Sequence, residues 1–282
     1  MPSQEANAVG GTLQERVVRT IRNDIEAGRL VDGEALPSTR DLAKQMEVSV
    51  FTINEAMKSL ASEGLIENRP GSRRIVRSSR PVTPPDRAGR PPHTYFVGGY
   101  AGSGKSEFGR VLARLTGAAV IDKDTITRAV VESHLEDLGR SPHDRESETY
   151  LDRVRPREYE NLLATVLENA ELGVGVIATA PFVQEFSSRA WIDRTRAQLD
   201  AHGVGLTLVW VTTDVETMHI YLRRRGAARD SVKLANWDDY VATRIDTDFR
   251  PAGAHVVIEN SADSEPLQSQ AARMLAEVAA SR

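Results

Sequence analysis

Apolar residues recur every fourth position at Leu13, Val17, Ile21 and Ile25, which predicts a helix over 12–27 with one buried face. Ser38 predicts the cap of a short second helix ending near Met46, with Asp41 three residues on as its capping-box partner. Ser49 opens a third helix, in which Ile53, Met57, Leu60 and Ala61 form one stripe and Gly64 the stop. Short strands at 65–68 and 74–77 then flank Pro70 and Gly71 and predict a two-stranded wing.

Beyond residue 93 apolar runs alternate with amphipathic ones. Strands are expected at 95–98, 118–121, 174–179, 205–211 and 255–258, and helices at 105–115, 125–138, 156–172, 188–202, 214–225 and 265–280. Strands separated by helical lengths require crossover connections, so the expected fold class is α/β, a three-layer domain with a parallel sheet covered on both faces. Between the two patterns, 78–93 holds five prolines and three arginines and almost nothing that builds a core. It reads as a semi-rigid linker, its arginines as solvated spacer or as phosphate contacts. The expected organisation is a winged helix-turn-helix at 12–77, the linker, and the α/β domain at 94–282.

A net charge of −4 over 282 residues gives no bulk attraction to nucleic acid, so any DNA contact requires a local patch. The absence of cysteine excludes disulfides, thiolate metal sites and a cysteine nucleophile, and suits a reducing compartment. No apolar run approaches the roughly 20 residues of a membrane span, and residues 1–11 lack a signal-peptide pattern, so a cytoplasmic protein is expected. His134 and His143 stand nine apart and the other histidines are scattered, without metal-ligand spacing.

The run from Gly28 to Ala43, with Leu-Pro-Ser-Thr-Arg at its centre, resembles the start of the GntR-family regulators. Met46 to Ile66, ending Glu-Gly-Leu-Ile, and Arg69-Pro-Gly71 continue the resemblance in register. The resemblance implies a DNA-binding homodimer on an operator in double-stranded DNA, with a fused effector domain. Arg40 matches the arginine that the family uses at the start of its first motif helix, and Thr52 a recognition-helix threonine. Two other usual arginines are replaced by Val50 and Asn54, and a threonine by Phe51. A lost arginine fork to guanine removes roughly 1–3 kcal/mol of discrimination. Asn54 instead offers an adenine contact, and Phe51 or Val50 a contact with a thymine methyl. Ser49 joins this set at the helix start, and Arg73 and Arg74 at the wing tip offer phosphate attraction. The alternative is a winged helix kept for dimerisation or protein contact.

Gly99-Tyr-Ala-Gly-Ser-Gly-Lys-Ser106 fits G-x-x-x-x-G-K-[ST] between a predicted strand and a predicted helix. Gly99, Gly102, Ser103 and Gly104 let backbone N–H groups wrap a phosphate, helped by the positive helix N-terminus. Lys105 would reach the β- and γ-phosphates of ATP, and the Ser106 hydroxyl would ligate Mg²⁺. A vestigial loop that binds poorly is the alternative.

The second strand of this domain ends in Asp122-Lys-Asp124, beside the phosphate loop, where open α/β sheets place ligands. Here the chain resembles P-loop kinases of the zeta-toxin, chloramphenicol phosphotransferase and polynucleotide-kinase type. By that resemblance Asp124 accepts the proton of an acceptor hydroxyl, Asp122 supports Mg²⁺ or its waters, and Arg128 lies near the acceptor. Otherwise the two aspartates cap the helix that follows. Leu222-Arg-Arg-Arg-Gly-Ala-Ala-Arg-Asp230 stands where adenylate-kinase-like enzymes carry lid arginines. With Lys233-Leu, Trp237 and Tyr240 it resembles AAA-type kinase-like ATPases. Arg225 and Arg229 are the choices for charge on the transferring phosphate, against a solvated basic helix end. The third strand lacks the aspartate that many P-loop enzymes place at its end. Two functions follow: a transcription regulator whose P-loop domain senses nucleotide or metabolite, or a phosphotransferase acting on a small hydroxyl or phosphate acceptor with an accessory winged helix.

Overall fold

The computed structural model describes residues 11–69, 73–77 and 91–280. In the N-terminal domain α1 (Leu13–Glu26) begins at Thr12, whose hydroxyl accepts from Glu15 N while Glu15 returns a bond to Thr12 N at 2.6 Å. At α2 (Thr39–Met46) the expected box forms only by half. Ser38 Oγ accepts from Asp41 N, but it spends its proton on the Asp41 carboxylate at 2.6 Å. Aspartate is one methylene shorter than the glutamate that completes the box on α1. Helix α3 (Val50–Ser62) starts on the Ser49 cap and stops before Gly64 at φ +74°. Val17, Ile21, Leu42, Met46, Ile53 and Leu60 form one core, closed by Ile66 and Val76 of the antiparallel strands β1 (Ile66–Arg69) and β2 (Arg73–Val76). The expected turn at Pro70-Gly71, and residues 78–90 of the expected linker, lie outside the described residues.

The second domain runs β3 (His93–Gly98), α4 (Lys105–Thr116), β4 (Val120–Asp122), α5 (Lys123–Asp137), a π turn at Tyr150–Val154, α6 (Arg155–Glu171) and β5 (Ile177–Thr179). It continues with α7 (Val183–Ser187), α8 (Arg189–Asp200), β6 (Gly205–Thr212), α9 (Val215–Arg225), a 3-10 turn at Ala228–Asp230, α10 (Ser231–Ala235), α11 (Trp237–Arg244), β7 (His255–Glu259) and α12 (Leu267–Ala280). The five strands pair in the order β4-β5-β3-β6-β7, all parallel. Alternation along β3 assigns the layers. Tyr95 and Val97 pack with Phe108, Leu112 and Met274 of α4 and α12, and Phe96 with Leu162 and Leu199 of α6 and α8.

Three expectations shift. Strand β5 covers 177–179 rather than 174–179, because Val174 N still closes the end of α6 onto Asn169 O. Helix α5 begins at Lys123, two residues early, because Asp122 ends the strand and caps the helix at once. The π turn, α7, α10 and α11 had no periodic signal: each is five to eight residues long. No helix among the described residues is long and apolar enough to cross a membrane.

Helix α1 belongs to both domains. Its apolar stripe faces the winged-helix core, and the opposite side docks on α4, α9 and α12, with Ala27 buried in the sheet domain's own core.

Candidate functional site

The P-loop joins β3 to α4 at the C-terminal edge of the sheet. Gly102 (φ +84°) and Gly104 (φ +92°) hold left-handed conformations that favour glycine. Space decides too: a side chain on Gly102 would start 2.7 Å from Met218, and one on Gly104 would strike the Asn260 amide. Gly99, Gly102 and Gly104 thus turn the chain under Ser103, whose hydroxyl is buried with no hydrogen-bond partner among the described residues. Lys105 opens α4. Loss of water lowers the pKa of its ammonium, and nearby Arg225 lowers it further, against the pull of Asp124, Asp122 and Glu107.

A cavity of about 780 Å³ opens from this loop, lined among others by Gly102, Gly104, Lys105, Ser106, Asp122 and Arg128. Asp122 performs the capping that was the alternative to a ligand role. Its Oδ1 accepts from Thr125 N at 3.0 Å and its Oδ2 from Thr179 Oγ1 at 2.6 Å. It still faces the cavity together with Ser106. Asp124 sits two residues further on, outside the cavity lining, in an ion pair with Lys123 at 3.0 Å. Lys123 is buried and also pairs with buried Glu158 at 2.7 Å, which accepts from Thr127 Oγ1 and Tyr150 Oη as well. Burial, then Glu158, pushes the Tyr150 phenol far up, so it remains a donor. Neither Lys123 nor Glu158 stood out in the sequence; a lysine between two aspartates reads as solvated.

The three adjacent arginines divide. Arg225 lines the cavity and is held by buried Asp230 through Nε at 2.8 Å and a terminal nitrogen at 2.5 Å. Arg224 turns to Asp24 of α1, and Arg223 to Glu47 at the end of α2. Arg229 lies in the 3-10 turn, and its side chain is outside the described part.

On the winged helix, Arg40 and Ser49 are exposed, Phe51 is 73% exposed, and Thr52 is half-buried with its hydroxyl on Ser49 Oγ at 2.8 Å. These residues share the free end of α3 and the start of α2. Arg74 points inward, bonded to Thr39 Oγ1 at 2.6 Å and to Asn54 Oδ1 at 3.1 Å, so two of the expected DNA-reading side chains hold each other. The side chain of Arg73 is outside the described part.

Between the two sites stands a buried polar junction. Arg19 is fully buried on α1. It donates through Nε to Asn260 Oδ1 at 3.0 Å and through its terminal nitrogens to the carbonyls of Ser264 and Glu259 at 2.5 and 3.0 Å. Asn23, one turn on, donates to the same Asn260 oxygen at 2.7 Å and to the Tyr221 hydroxyl. Asn260 Nδ2 in turn donates to Ser103 O, inside the phosphate loop, at 2.9 Å. Burial pulls the Arg19 guanidinium below its ordinary pKa.

Residues 13–76 match the family model of bacterial regulatory proteins, gntR family, and residues 95–245 match that of the AAA domain. The HTH-type transcriptional regulator Mce2R of Mycobacterium tuberculosis is 41% identical over 69 residues, covering 24% of this chain and 29% of that protein. The HTH-type transcriptional regulator SmoD of Agrobacterium fabrum is 32% identical over 71 residues, covering 24% and 30%. The chain thus spans less than a third of the length of these curated relatives. Among solved structures, a gluconokinase from Sinorhizobium meliloti is 18% identical over 68% of this chain and 96% of its own, with a TM-score of 0.44. A sugar kinase from a Janibacter species is 18% identical over 66% and 95%, with a TM-score of 0.42. Because the AAA-domain match spans more than half of its 282 residues, the chain belongs to the AAA domain family, with a gntR-family regulatory domain at residues 13–76 ahead of it.

Proposed function

We propose that the protein is a DNA-binding transcriptional regulator whose P-loop domain binds ATP with Mg²⁺ and reports its occupancy to the winged helix. The observation that carries this reading is Asn260, which touches the phosphate loop at Ser103 O and the DNA-binding domain at Arg19 and Asn23. Phosphates drawn onto the loop amides reorganise the backbone that Asn260 grips, and α1 is fixed to the same side chain. The DNA surface is the free end of α3 with Arg40, Ser49, Phe51 and Thr52, acting as a homodimer on a pseudo-palindromic duplex.

The residues present fit Mg²⁺. Ser106 and Asp122 line one cavity, and Asp122 Oδ2, which accepts from Thr179 Oγ1, keeps a lone pair for the ion, whereas Oδ1 is taken by Thr125 N and Oγ1. When bound, the ion would draw charge from the β- and γ-phosphate oxygens. The loop amides and Lys105 hold and orient those phosphates.

Affinity for an operator recovered by selection from genomic fragments tests the reading, with and without ATP and Mg²⁺. ATP should change that affinity by a factor within roughly 5–150, the usual range of coupling between two sites. Lys105→Ala should abolish the change and retain DNA binding. Equal operator affinity at saturating ATP sinks the proposal.

A second reading, phosphoryl transfer to a small acceptor, is favoured by the charges gathered around Lys105, where Arg225 and Asp124 are both within electrostatic reach. In it Asp124 receives the acceptor hydroxyl proton on a carboxylate oxygen, Arg128 attracts the acceptor, and Arg225, with Arg229 by the sequence resemblance, supplies positive charge for the transferring phosphate.

A further inference from the structure

The cavity that opens at the phosphate loop does not end within the AAA domain. Asp24, Ala27 and Arg29 of the winged-helix domain line its far wall. Seven cationic side chains line it against three carboxylates, an excess suited to a ligand carrying more than one anionic group. The junction of Arg19, Asn23 and Asn260 is fully buried and leaves no room for a ligand there, while Tyr221, Leu222, Arg224 and Arg225 of α9 line the cavity beside α4. The open direction runs along α4, towards the domain boundary.

Three of the seven cations meet at that boundary. Arg110 and Arg114 stand one turn apart on α4, on the same face as Glu107. The Arg114 guanidinium fills the space where a side chain on Gly28 would begin, so it lies against the turn that leaves α1. Arg29 reaches the cavity from the other side of that turn, held by Glu107 and, at 3.4 Å, by Asp24. Among the described residues no ion pair holds Arg110 or Arg114. Arg114 is nine residues beyond Lys105, a rise of roughly 14 Å along the helix. That is the scale of a nucleoside extended from its phosphates.

We propose that Arg29, Arg110 and Arg114 form a second anion subsite, which holds a phosphate monoester while the polyphosphate of a nucleotide occupies the loop. The subsite rests on the nucleotide reading above. Its composition places one residue of the DNA-binding domain on the ligand: Arg29 exchanges Glu107 for the phosphate and closes the turn after α1 towards α4. Arginine suits this exchange, since its planar fork pairs with phosphate oxygens as readily as with a carboxylate. The phosphate belongs either to the same nucleotide, as a ribose phosphate, or to a separate phosphorylated molecule in the same cleft.

Calorimetric titration of the full chain with Mg²⁺ distinguishes these sources. ATP is compared with ATP carrying an additional 3′-phosphate, and with ATP in the presence of inorganic phosphate. The additional phosphate, attached or free, should tighten binding about tenfold, as expected for charge-assisted pairing with arginine. Tightening by the attached group alone assigns the subsite to one nucleotide, and tightening by inorganic phosphate to a second molecule. In Arg110→Ala/Arg114→Ala the gain should vanish while ATP affinity stays within about twofold, a control that the domain remains folded. A gain that survives in this variant, or no gain from either phosphate, overturns the subsite and leaves the nucleotide reading intact. Inorganic phosphate that only competes with ATP also overturns it. Absence of any ATP binding by the unmodified chain overturns both.

Discussion

Arg19 and Asn260 meet across the boundary between the two domains, Nε to Oδ1 at 3.0 Å, with both side chains fully buried. A guanidinium is costly to bury, and this one is matched to two carbonyls and an amide rather than to a carboxylate. All three acceptors belong to the α/β domain, so the bonds form only when the domains are docked.

Arg19→Ala would strand those acceptors. A buried polar group left unpaired costs about 1–3 kcal/mol, so the loss should exceed that of an exposed arginine several-fold. Urea unfolding followed by tryptophan fluorescence checks it, since all three tryptophans lie beyond residue 190 in the AAA domain. A midpoint equal to that of the unaltered chain would show that this junction does not form.

Nucleotide binding predicts a thermal shift. ATP with Mg²⁺ at 100 times its dissociation constant adds about 2.7 kcal/mol to the native state. The melting temperature of the full chain should rise, and Lys105→Ala should cancel the rise without lowering the starting value, because no hydrogen bond or ion pair among the described residues holds its ammonium and removing a desolvated charge leaves no partner stranded. A melting curve indifferent to millimolar ATP would refute the prediction.

Local periodicity carried the winged helix and the five strands because each is a short-range pattern repeated within one element. Val17, Ile21 and Ile25 announced a buried face, and that face is buried. The opposite face of the same helix carried no such signal. Nothing in the sequence pattern marks Arg16, Arg19, Thr20 and Asn23 as buried, because their partners lie up to 245 residues away, beyond any local pattern. Likewise Leu222-Arg-Arg-Arg was read by resemblance as lid arginines, whereas two of them reach back to Asp24 and Glu47 and clamp the winged helix. The glycines of the phosphate loop were legible because backbone conformation, unlike a distant ion pair, is written in residue type.

On the winged helix, Arg40 and Arg74 should behave differently. Arg40 is exposed, so Arg40→Ala should reduce the salt dependence of operator binding by about one unit if one phosphate contact is lost. Arg74 is bonded to Thr39 and Asn54. Arg74→Ala should release Asn54, change which bases are preferred, and shift the salt slope less. Binding isotherms at several salt concentrations with a panel of operator variants check both. Identical slopes and identical base preference in the two variants would contradict the inward placement of Arg74.

Asp214 predicts a pH signature. Burial alone would raise its pKa, but bonds from Thr217 Oγ1 and N, with Arg16 nearby, hold it below the ordinary 3.8. The folded carboxyl therefore binds its proton less tightly than the unfolded one. The stability it contributes is fully present above the unfolded value and is lost as pH falls through the depressed folded value. Asp214→Ala should cost about 0.5–2 kcal/mol at neutral pH through the lost helix cap. The gap in denaturation midpoint between variant and parent should shrink as the medium is acidified below pH 3.8. A gap that grows on acidification would reverse the assigned sign.

Turnover separates the sensor from the kinase, and the surroundings of Asp124 shape the test. Its carboxylate lies 3.0 Å from Lys123, whose ammonium is shared with Glu158 at 2.7 Å. Lys123 holds Asp124 in place and is itself held by a buried acid, so replacing the lysine would strand Glu158 and confuse chemistry with folding. Asp124→Asn is the cleaner change: it keeps shape and leaves the Lys123–Glu158 pair. If Asp124 accepts the acceptor proton, ATP affinity should stay nearly unchanged in this variant. The rate with a true acceptor should fall by roughly 10²–10⁴, the usual worth of a general base. Arg225→Ala should also lower the rate more than the affinity, because charge on the transferring phosphate matters most in the transition state. A pure sensor gives another pattern: no acceptor-dependent ADP release across a metabolite panel, and Asp124→Asn altering only the effect of ATP on operator affinity. Acceptor-dependent ADP release that survives Asp124→Asn at full rate would remove Asp124 from the chemistry and leave its carboxylate as the anchor of Lys123 alone.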